Sequence, residues 1–292
     1  MAKSAEEAAF VGDLGEVYKI TKELVNANTK ADPPVLDLNR NILSTDDEKL
    51  NRWREQFESV LNHAVSSDVA AFAPTTNTIS PARSIPQTPP SKSEIVSAIK
   101  SISSGKVAGS DGIPAEFYKS NPYMAAEVLQ PILEEAWLSK AFPEECTDGI
   151  IVKMPKKGNL KICNNWRGIC DLPAISKIIS KVILDRIKDH LYAIIDPEQT
   201  DFRPCVDHIN TLRIIIEHSA EYRSDLYLFF VHFEKAFDSV EREGIWMALR
   251  RRRITNKMVS VIQSTYNGAK RRELHNGTLS APFVVSSGFR QG

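Results

Sequence analysis

Apolar residues recur at helical spacing in several stretches of the chain, and two of these stretches begin with a capping box. Thr45 with Glu48 precedes an apolar stripe over 46–62, and Ser91 with Glu94 precedes the next helical pattern. In each pair the side chain of the first residue accepts a hydrogen bond from the backbone amide of the Glu three residues later. The Glu side chain in turn accepts one from the backbone amide of the first residue, and this exchange marks where a helix begins. Further helices are predicted over 5–30, 115–140, 176–192, 207–222 and 240–253.

Strand patterns are fewer and shorter. Residues 226–233 form a mostly apolar run of Leu, Tyr, Phe and Val without Gly or Pro, and a charged cluster follows it. This run predicts a strand buried on both faces, with a helix beginning after it. Residues 149–154 predict a short strand that enters a turn over 155–158. Residues 272–283 predict a hairpin with its turn at Asn276–Gly277. The fold class is therefore predicted to be α+β.

Composition divides the chain into four parts. A stretch rich in Ser, Thr, Ala and Pro is typical of a linker and separates two helical regions. The predicted parts are a helical N-terminal region (1–65), the linker (66–90), a helical region that leads into the main domain (91–145) and the main α+β domain (146–292). With 292 residues, of which 42% are apolar, the chain can build a sizeable core.

Charge is balanced over the whole chain but uneven along it. The formal net charge is zero, so no global field draws the protein to nucleic acid. However, residues 250–272 contain eight basic residues and no acidic one, and residues 153–188 are also strongly basic. Two local basic stretches in a neutral chain indicate a groove for a polyanion. Ordinary solvated helix faces are the alternative interpretation of the same charges.

The cysteines and the N-terminus indicate an intracellular protein. Four cysteines occur without a C-x-x-C pair or matching His spacing, which argues against a zinc site and favours a reduced setting. The N-terminus is charged and lacks the apolar segment of a signal peptide, and no run approaches the roughly 20 apolar residues that span a bilayer. We therefore expect a location in the nucleus or cytoplasm, without secretion and without membrane contact.

A cluster of cations follows the strand predicted over 149–154. Lys156 and Lys157 lie on its turn, and Arg167 comes ten residues after Lys157. Such a group suits a triphosphate clamp, because cations neutralise oxyanions and Arg donates two parallel hydrogen bonds. A solvated turn is the simpler interpretation when these residues are taken alone. The basic helix that follows carries Lys177 and Lys181.

The order of these segments resembles the reverse transcriptase of non-LTR (LINE-like) retrotransposons. Residues 104–114 are similar to that family's Lys-x-x-Gly-x-Asp-Gly-Ile motif, and residues 227–240 to its palm strand with Phe-x-Lys-Ala-Phe-Asp. The other segments with a family counterpart are 150–187 (fingers), 198–209, and 276–292, which leads into Gly-x-x-Gln-Gly. Even residues 8–62 resemble the linker that follows the endonuclease in such elements. The resemblance implies right-hand polymerase fingers and a partial palm, preceded by a helical N-terminal region.

The resemblance also implies roles for individual residues. Lys156, Lys157 and Arg167 would hold the triphosphate of the incoming nucleotide. Phe237 would lie under its sugar and exclude a 2′-hydroxyl, although plain core packing is the alternative for this ring. Gln291 would lie beside the templating base pair, together with Arg290 and Gly292. The basic residues expected to follow nucleic-acid phosphates are Lys177, Lys181, Arg250, Arg251, Arg252, Lys270 and Arg271. The implied partners are an RNA template and a DNA primer.

One departure from the family bears directly on activity. His232 stands where the family has a metal-binding Asp, and the family implies Mg²⁺ as cofactor. Mg²⁺ prefers oxygen ligands, and an imidazole nitrogen cannot bridge two such ions. Glu234 points the same way along a strand, but it is displaced by roughly 6–7 Å. We therefore predict a catalytically inactive domain in which Mg²⁺ binding is doubtful.

Two further departures complete the sequence-based picture. The paired-Asp strand turn and the thumb of the family do not follow Gly292, so we expect a truncated copy. Arg253 stands where the family has Gly after the palm helix, in a left-handed cap position that disfavours a β-carbon. A non-catalytic nucleic-acid-binding module derived from a retroelement is the alternative function. A viral RNA polymerase palm is a third, and the bulk of Phe237 argues against it.

Overall fold

The computed structural model describes residues 34–62, 85–194, 205–231, 233 and 235–290. The helices are α1 (Asp46–Leu61), α2 (Lys92–Ser101), α3 (Ala115–Ser120), α4 (Pro122–Ser139), α5 (Ala174–Ile194), α6 (Cys205–Glu221), α7 (Arg242–Arg251) and α8 (Asn256–Ser264). The strands are β1 (Gly149–Pro155), β2 (Trp166–Asp171), β3 (Lys270–His275), β4 (Thr278–Leu279) and β5 (Phe283–Val284). The mixture of helices and sheet confirms the α+β class. The helix predicted over 5–30 lies outside the described residues.

Both predicted capping boxes are present. The Thr45 and Ser91 hydroxyls accept hydrogen bonds from the amides of Glu48 and Glu94, and each Glu side chain accepts one from its cap amide. The helix predicted over 115–140 is divided at Asn121, whose side chain caps α4 by accepting from the Met124 amide. Pro122 follows at the first position of α4, where a missing N–H costs nothing.

The described strands form one five-stranded mixed sheet. β1 pairs antiparallel with β2 and parallel with β3, and β3 pairs antiparallel with both β4 and β5. The predicted hairpin is confirmed as β3–β4, with φ of 47° at Asn276 and 78° at Gly277. Positive φ at both central residues is the geometry that an Asn-Gly turn provides.

Two hydrophobic cores stabilise this arrangement. The larger core lies between helices α2, α4, α5, α7 and α8 and includes Ile99, Trp137 and Ile178. The smaller core lies between α1 and the sheet, where Trp53 and Phe57 of α1 pack near Ile151 of β1. Gly168 of β2 lies directly below Phe57, and a β-carbon there would come within 2.7 Å of its ring. Helix α1 is thereby fixed on one face of the β1–β2 pair.

The buried strand predicted over 226–233 is wrong. The described residues there have no strand assignment and are exposed, with Phe229 90% and Phe230 84% accessible. A strand forms only beside a hydrogen-bonded neighbour, and no described strand pairs with this segment. An apolar sequence pattern indicates that a segment favours burial, but it does not show whether another strand lies beside the segment to bury it.

Arg253 adopts the left-handed conformation that its position at the end of α7 predicts. Its φ is 60°, and its amide donates to the Arg250 carbonyl while the next amide, of Ile254, donates to Leu249. This is a helix C-terminus of the kind that glycine favours. We expect Arg253→Gly to raise the free energy of unfolding by about 1 kcal/mol. Urea denaturation measures this change.

A matched control separates backbone strain from the loss of a charged side chain. Arg251→Gly removes a similar side chain from the last turn of α7, where φ is helical, and should destabilise the protein by about 1 kcal/mol. Equal effects of the two substitutions would contradict the proposed strain at Arg253.

No helix within the described ranges is both long and apolar enough to cross a membrane.

Candidate nucleotide-binding site

The β1–β2 pair carries the predicted triphosphate clamp at one end. Lys156 and Lys157 follow β1 and are exposed, and the amide of Lys156 donates to the Asn165 carbonyl just before β2 at 2.8 Å. Arg167 of β2 is also exposed and pairs in register with Met154. The three predicted clamp residues therefore lie at the same open end of one hairpin. Its turn includes Gly158 with φ of 114°, packed against the Asn165 side chain.

The two faces of this hairpin differ. Alternate residues of a strand point to opposite faces, so Ile151 and Gly168 face α1, whereas Arg167 faces away from it. The face that carries Arg167 also exposes Val152, Met154 and Ile169, and each is 39% or more accessible. An exposed cation beside accessible apolar side chains is an arrangement that can contact both the phosphates and the base of a nucleotide.

Phe237 lies in a turn that is closed by the segment over 287–290. The amide of Phe289 donates to the Phe237 carbonyl at 3.0 Å, and that of Gly288 donates to the Val240 carbonyl at 2.8 Å. The rings of Phe237 and Phe289 pack edge to face with centroids 6.1 Å apart. Phe237 is 55% exposed, so its ring is available at the surface and is not a core residue.

A cavity of about 40 Å³ lies behind this turn, on the α1 side of the sheet. Its polar lining comes mainly from Arg242, Arg271 and Arg290, together with Cys170 and Asp238. Apolar walls are contributed by Phe57, Val60, Leu61, Ile151, Val285 and Phe289. Burial raises the pKa of the Cys170 thiol, so that side chain is neutral in the cavity wall.

Each of the three arginines is fixed by neutral oxygens. Arg242 donates to the carbonyls of Gly288, Val285 and Ser287. Arg271 donates to those of Thr147 and Lys270. Arg290 donates to the Thr265 and Cys146 carbonyls and to the Ser176 hydroxyl. Burial, together with the smaller effect of the Arg271 charge, lowers the pKa of Arg242 and of Arg290 to about 10.

A buried ion pair lies on the same face of the sheet. Glu273 of β3 is 0% exposed, and its carboxylate lies 3.0 Å from Lys153 Nζ. The same ammonium donates to the Leu274 carbonyl at 2.9 Å, lies 3.0 Å from His275 Nδ1 and is 5.2 Å from the Trp53 ring. Burial raises the pKa of Glu273 to about 7, although Lys153 opposes the shift. This pair ties β1, β3 and α1 together.

The basic residues expected to follow nucleic acid have different surroundings. Arg250 and Arg251 are exposed at the end of α7. Lys177, Lys181 and Lys270 form ion pairs with Asp171, Asp185 and Glu144, respectively. Arg252 is partly buried, and its carbonyl lies 2.7 Å from His190 Nε2.

Arg271 departs from the prediction of a surface contact. It is only 4% exposed, because β3 turns its side chain inward beneath β1 and β5. A run of basic residues in the sequence does not reveal which of their side chains point into the protein. In β3 the alternation of side chains leaves Arg272 exposed and Arg271 buried.

Known proteins match the part of the chain that builds these features. Residues 154–292 match the family model described as reverse transcriptase (RNA-dependent DNA polymerase). The transposon TX1 uncharacterized 149 kDa protein of Xenopus laevis is 27% identical over 209 residues, which is 70% of this chain and 16% of that protein. The retrovirus-related Pol polyprotein from the type-2 retrotransposable element R2DM of Drosophila melanogaster is 26% identical over 144 residues, covering 48% of this chain and 13% of that protein.

The chain carries a non-LTR reverse transcriptase domain. It spans only a small part of the length of either relative. The resemblance to the reverse transcriptases of non-LTR retrotransposons is thereby confirmed, whereas the assignment of residues 8–62 to a linker after an endonuclease stays a prediction.

The reverse transcriptase domain brings together some of its predicted site residues and not others. Lys156, Lys157 and Arg167 share one end of the β1–β2 hairpin, but neither they nor Phe237 line the cavity. His232 and Gln291 lie outside the described residues, so their roles stay predictions. Sequence reasoning missed Arg242 and Cys170 as cavity residues, because neither stands in a motif with a recognisable chemical pattern.

The described residues of the reverse transcriptase domain do not fit the Mg²⁺ that the family implies. The resemblance places His232, an imidazole outside the described residues, at the family's metal-binding position, and the next described carboxylate along the chain, that of Asp238, lines a cavity with three guanidinium groups. One negative and three positive charges repel a divalent cation. Within the described ranges, no group of three or more His, Cys, Asp and Glu residues could hold a metal.

Proposed function

We propose that this reverse transcriptase domain binds an RNA template and a DNA primer but does not extend the primer. The observation that carries the proposal is His232 at the position of the family's metal-binding Asp, within a domain whose other motifs match the family. The two-metal reaction needs a carboxylate that bridges two hard cations about 3.5–4 Å apart. A neutral imidazole presents one nitrogen lone pair and cannot do this.

The fold supports the binding part of the proposal. We assign the β1–β2 hairpin and the helices that pack beside it to the fingers, and β3 with the Phe237 turn to part of the palm. In this assignment the clamp of Lys156, Lys157 and Arg167 faces solvent at the hairpin end, where a triphosphate has room to approach. The exposed Arg250 and Arg251 lie on a different element and suit backbone phosphates.

The test compares binding with extension by the same preparation of the chain. We expect fluorescence anisotropy to show binding of an RNA template annealed to a DNA primer, with an affinity that falls steeply as salt rises. With Mg²⁺ and all four deoxynucleotides, we expect no template-dependent lengthening of the primer. Reversing the charge of Arg250 and Arg251 should weaken binding and reduce its salt dependence, whereas Arg213→Glu, on the exposed helix α6, serves as the control.

Each half of the proposal can fail separately. Template-directed synthesis by the chain would overturn the assignment of an inactive site. An affinity that ignores salt, or that survives reversal of both arginines, would overturn nucleic-acid binding through this surface.

A further inference from the structure

The described residues that line the cavity with Arg242, Arg271 and Arg290 do not balance the charge of these arginines. Among the described lining residues there are three guanidinium groups and one carboxylate, that of Asp238, which leaves two positive charges in excess within that set. In the described part of the chain, the three arginines donate hydrogen bonds to carbonyl and hydroxyl oxygens, and Arg271 also bonds the Cys170 thiol. None of the three forms an ion pair with a carboxylate among these residues. Buried charges in proteins are ordinarily paired.

One donor in this group lacks an acceptor among the described residues. The Nε atom of Arg290 is buried and has no hydrogen-bond partner there, although both terminal nitrogens of the same guanidinium are bonded. A buried donor without an acceptor costs about 1–3 kcal/mol, so such a group requires an explanation. The guanidinium that carries this donor belongs to one of the residues that line the cavity, beside Arg242 and Arg271.

The guanidinium groups are held in place before any ligand arrives. Arg242 and Arg290 stack on Tyr266, with distances of 5.0 and 5.9 Å from the guanidinium carbon to the ring centroid. Their remaining edges are held by the carbonyl bonds described above, so neither side chain has to be ordered on binding. Sites that are ordered in advance bind small ligands at a lower entropic cost.

The volume limits the size of the ligand. A cavity of about 40 Å³ has room for roughly three water molecules, at 10–15 Å³ of this measure each. This space suits one compact oxyanion and excludes a nucleoside. A phosphate group carries a charge of about −1.5 to −2 at neutral pH, which matches the excess of two positive charges. Arginine is also the side chain whose fork of donors suits phosphate oxygens.

We propose that the cavity between α1, the β1–β2 pair and the Phe237 turn is a phosphate-binding site, held by Arg242, Arg271 and Arg290. The site is separate from the predicted triphosphate clamp, whose residues do not line the cavity. It does not depend on whether the domain extends a primer. The bound phosphate is inorganic phosphate or the terminal phosphate of a nucleotide, since both present the same oxyanion.

The first test uses the cysteine in the cavity wall as a reporter on the unmodified chain. We expect inorganic phosphate, at constant ionic strength, to slow alkylation of Cys170 about tenfold at saturation, because a ligand in the cavity blocks access to the thiol. Mass spectrometry assigns the rate to each cysteine. Cys163 is the control, because it is buried in the core below α1 and does not line the cavity. Equal slowing at both cysteines, or none at Cys170, would overturn the proposal.

The second test uses paired variants of one wall residue. Val60→Phe fills the cavity and leaves the three arginines in place, whereas Val60→Ala keeps the cavity open. We expect phosphate to raise the melting temperature of the parent chain and of Val60→Ala, but not of Val60→Phe. Stabilisation of all three to the same extent would place phosphate elsewhere and refute the site. If Val60→Phe fails to fold, the alkylation experiment on the parent chain decides alone.

A third measurement identifies the source of the phosphate. Deoxyadenosine triphosphate is added in place of inorganic phosphate in the alkylation assay. Protection of Cys170 that competes with inorganic phosphate supports a nucleotide whose terminal phosphate enters the cavity. Protection by inorganic phosphate alone supports a free-anion site. Sulfate is included as a second tetrahedral oxyanion, and chloride sets the ionic-strength baseline.

Discussion

Replacing Arg186 by methionine is expected to lower the free energy of unfolding by about 3 kcal/mol or more. The Arg186 side chain is 4% exposed and donates two bonds to the Glu94 carboxylate, at 2.6 and 2.9 Å. It also donates to the carbonyls of Pro86, Thr88 and Pro89 and stacks 4.9 Å from the Trp137 ring. Methionine preserves most of the apolar stem, so the loss reports chiefly on the hydrogen bonds.

The pKa of Glu94 adds a dependence on pH. The hydrogen bonds from Arg186 lower the pKa of that carboxyl to about 2, from an ordinary value of 4.5. A lowered pKa in the folded state stabilises the protein above pH 4.5, and this contribution is lost as the pH falls toward 2. The difference in the free energy of unfolding between the parent chain and Arg186→Met should therefore be smaller at pH 3 than at pH 7. Denaturation curves of both proteins at the two pH values measure this difference.

Arg213 is the matched control for this experiment. It forms an arginine–glutamate pair with the same 2.6 Å distance, to Glu217, but the two side chains are 73% and 59% exposed. Exposed pairs contribute only about 0.3–0.5 kcal/mol within a helix, so Arg213→Met should be nearly neutral. Similar losses for the two substitutions would contradict the role given to the buried pair.

Replacing Glu273 by glutamine is expected to remove a dependence of stability on pH between about 4.5 and 7. Burial raises the pKa of this carboxyl to about 7 in the folded state. The unfolded chain releases the same proton near 4.5, so it binds fewer protons than the folded chain across this window. Stability therefore falls as the pH rises, by about 3 kcal/mol from the lower to the upper limit. Urea denaturation at pH 5 and pH 8 measures the slope.

The glutamine variant should be least different from the parent at low pH and more stable than the parent at pH 8. Lys153 retains the Leu274 carbonyl, His275 and the Trp53 ring as partners after the substitution. Glu127→Gln, which alters an exposed pair with Lys92, is the control and should leave the slope unchanged. A slope that persists in Glu273→Gln would assign the pH dependence to another group.

Features encoded over a few residues could be predicted from the sequence. Each capping box depends on two side chains three residues apart, and the Asn276–Gly277 turn depends on a conformation that these two residues favour. The left-handed Arg253 followed from its place after a helix. In each case the interacting groups are close in sequence, so the local pattern contains the whole interaction.

Features assembled from distant parts of the chain could not be predicted. The arginine cavity combines α1, β1, β2, β3 and α7 with the segment over 285–290, and no single stretch of sequence shows that these meet. In the sequence, Arg186 is one of several cations on a basic helix, and nothing nearby indicates its role. In the structure its side chain donates hydrogen bonds to carbonyls of the segment over 86–89, at the end of the predicted linker. The division into four domains stays a prediction, although α1 packs on the sheet of the main domain.

The segment Leu226–Val231 has a consequence for how the protein behaves at high concentration. Six consecutive apolar residues, with no charge and no Pro or Gly, lie in the open without a paired strand among the described residues. Segments of this composition stack on copies of themselves into cross-β fibrils, where every backbone group finds a partner in the next chain. We therefore expect these six residues, which lie outside both cores, to promote aggregation, and a single lysine among them to act as a gatekeeper.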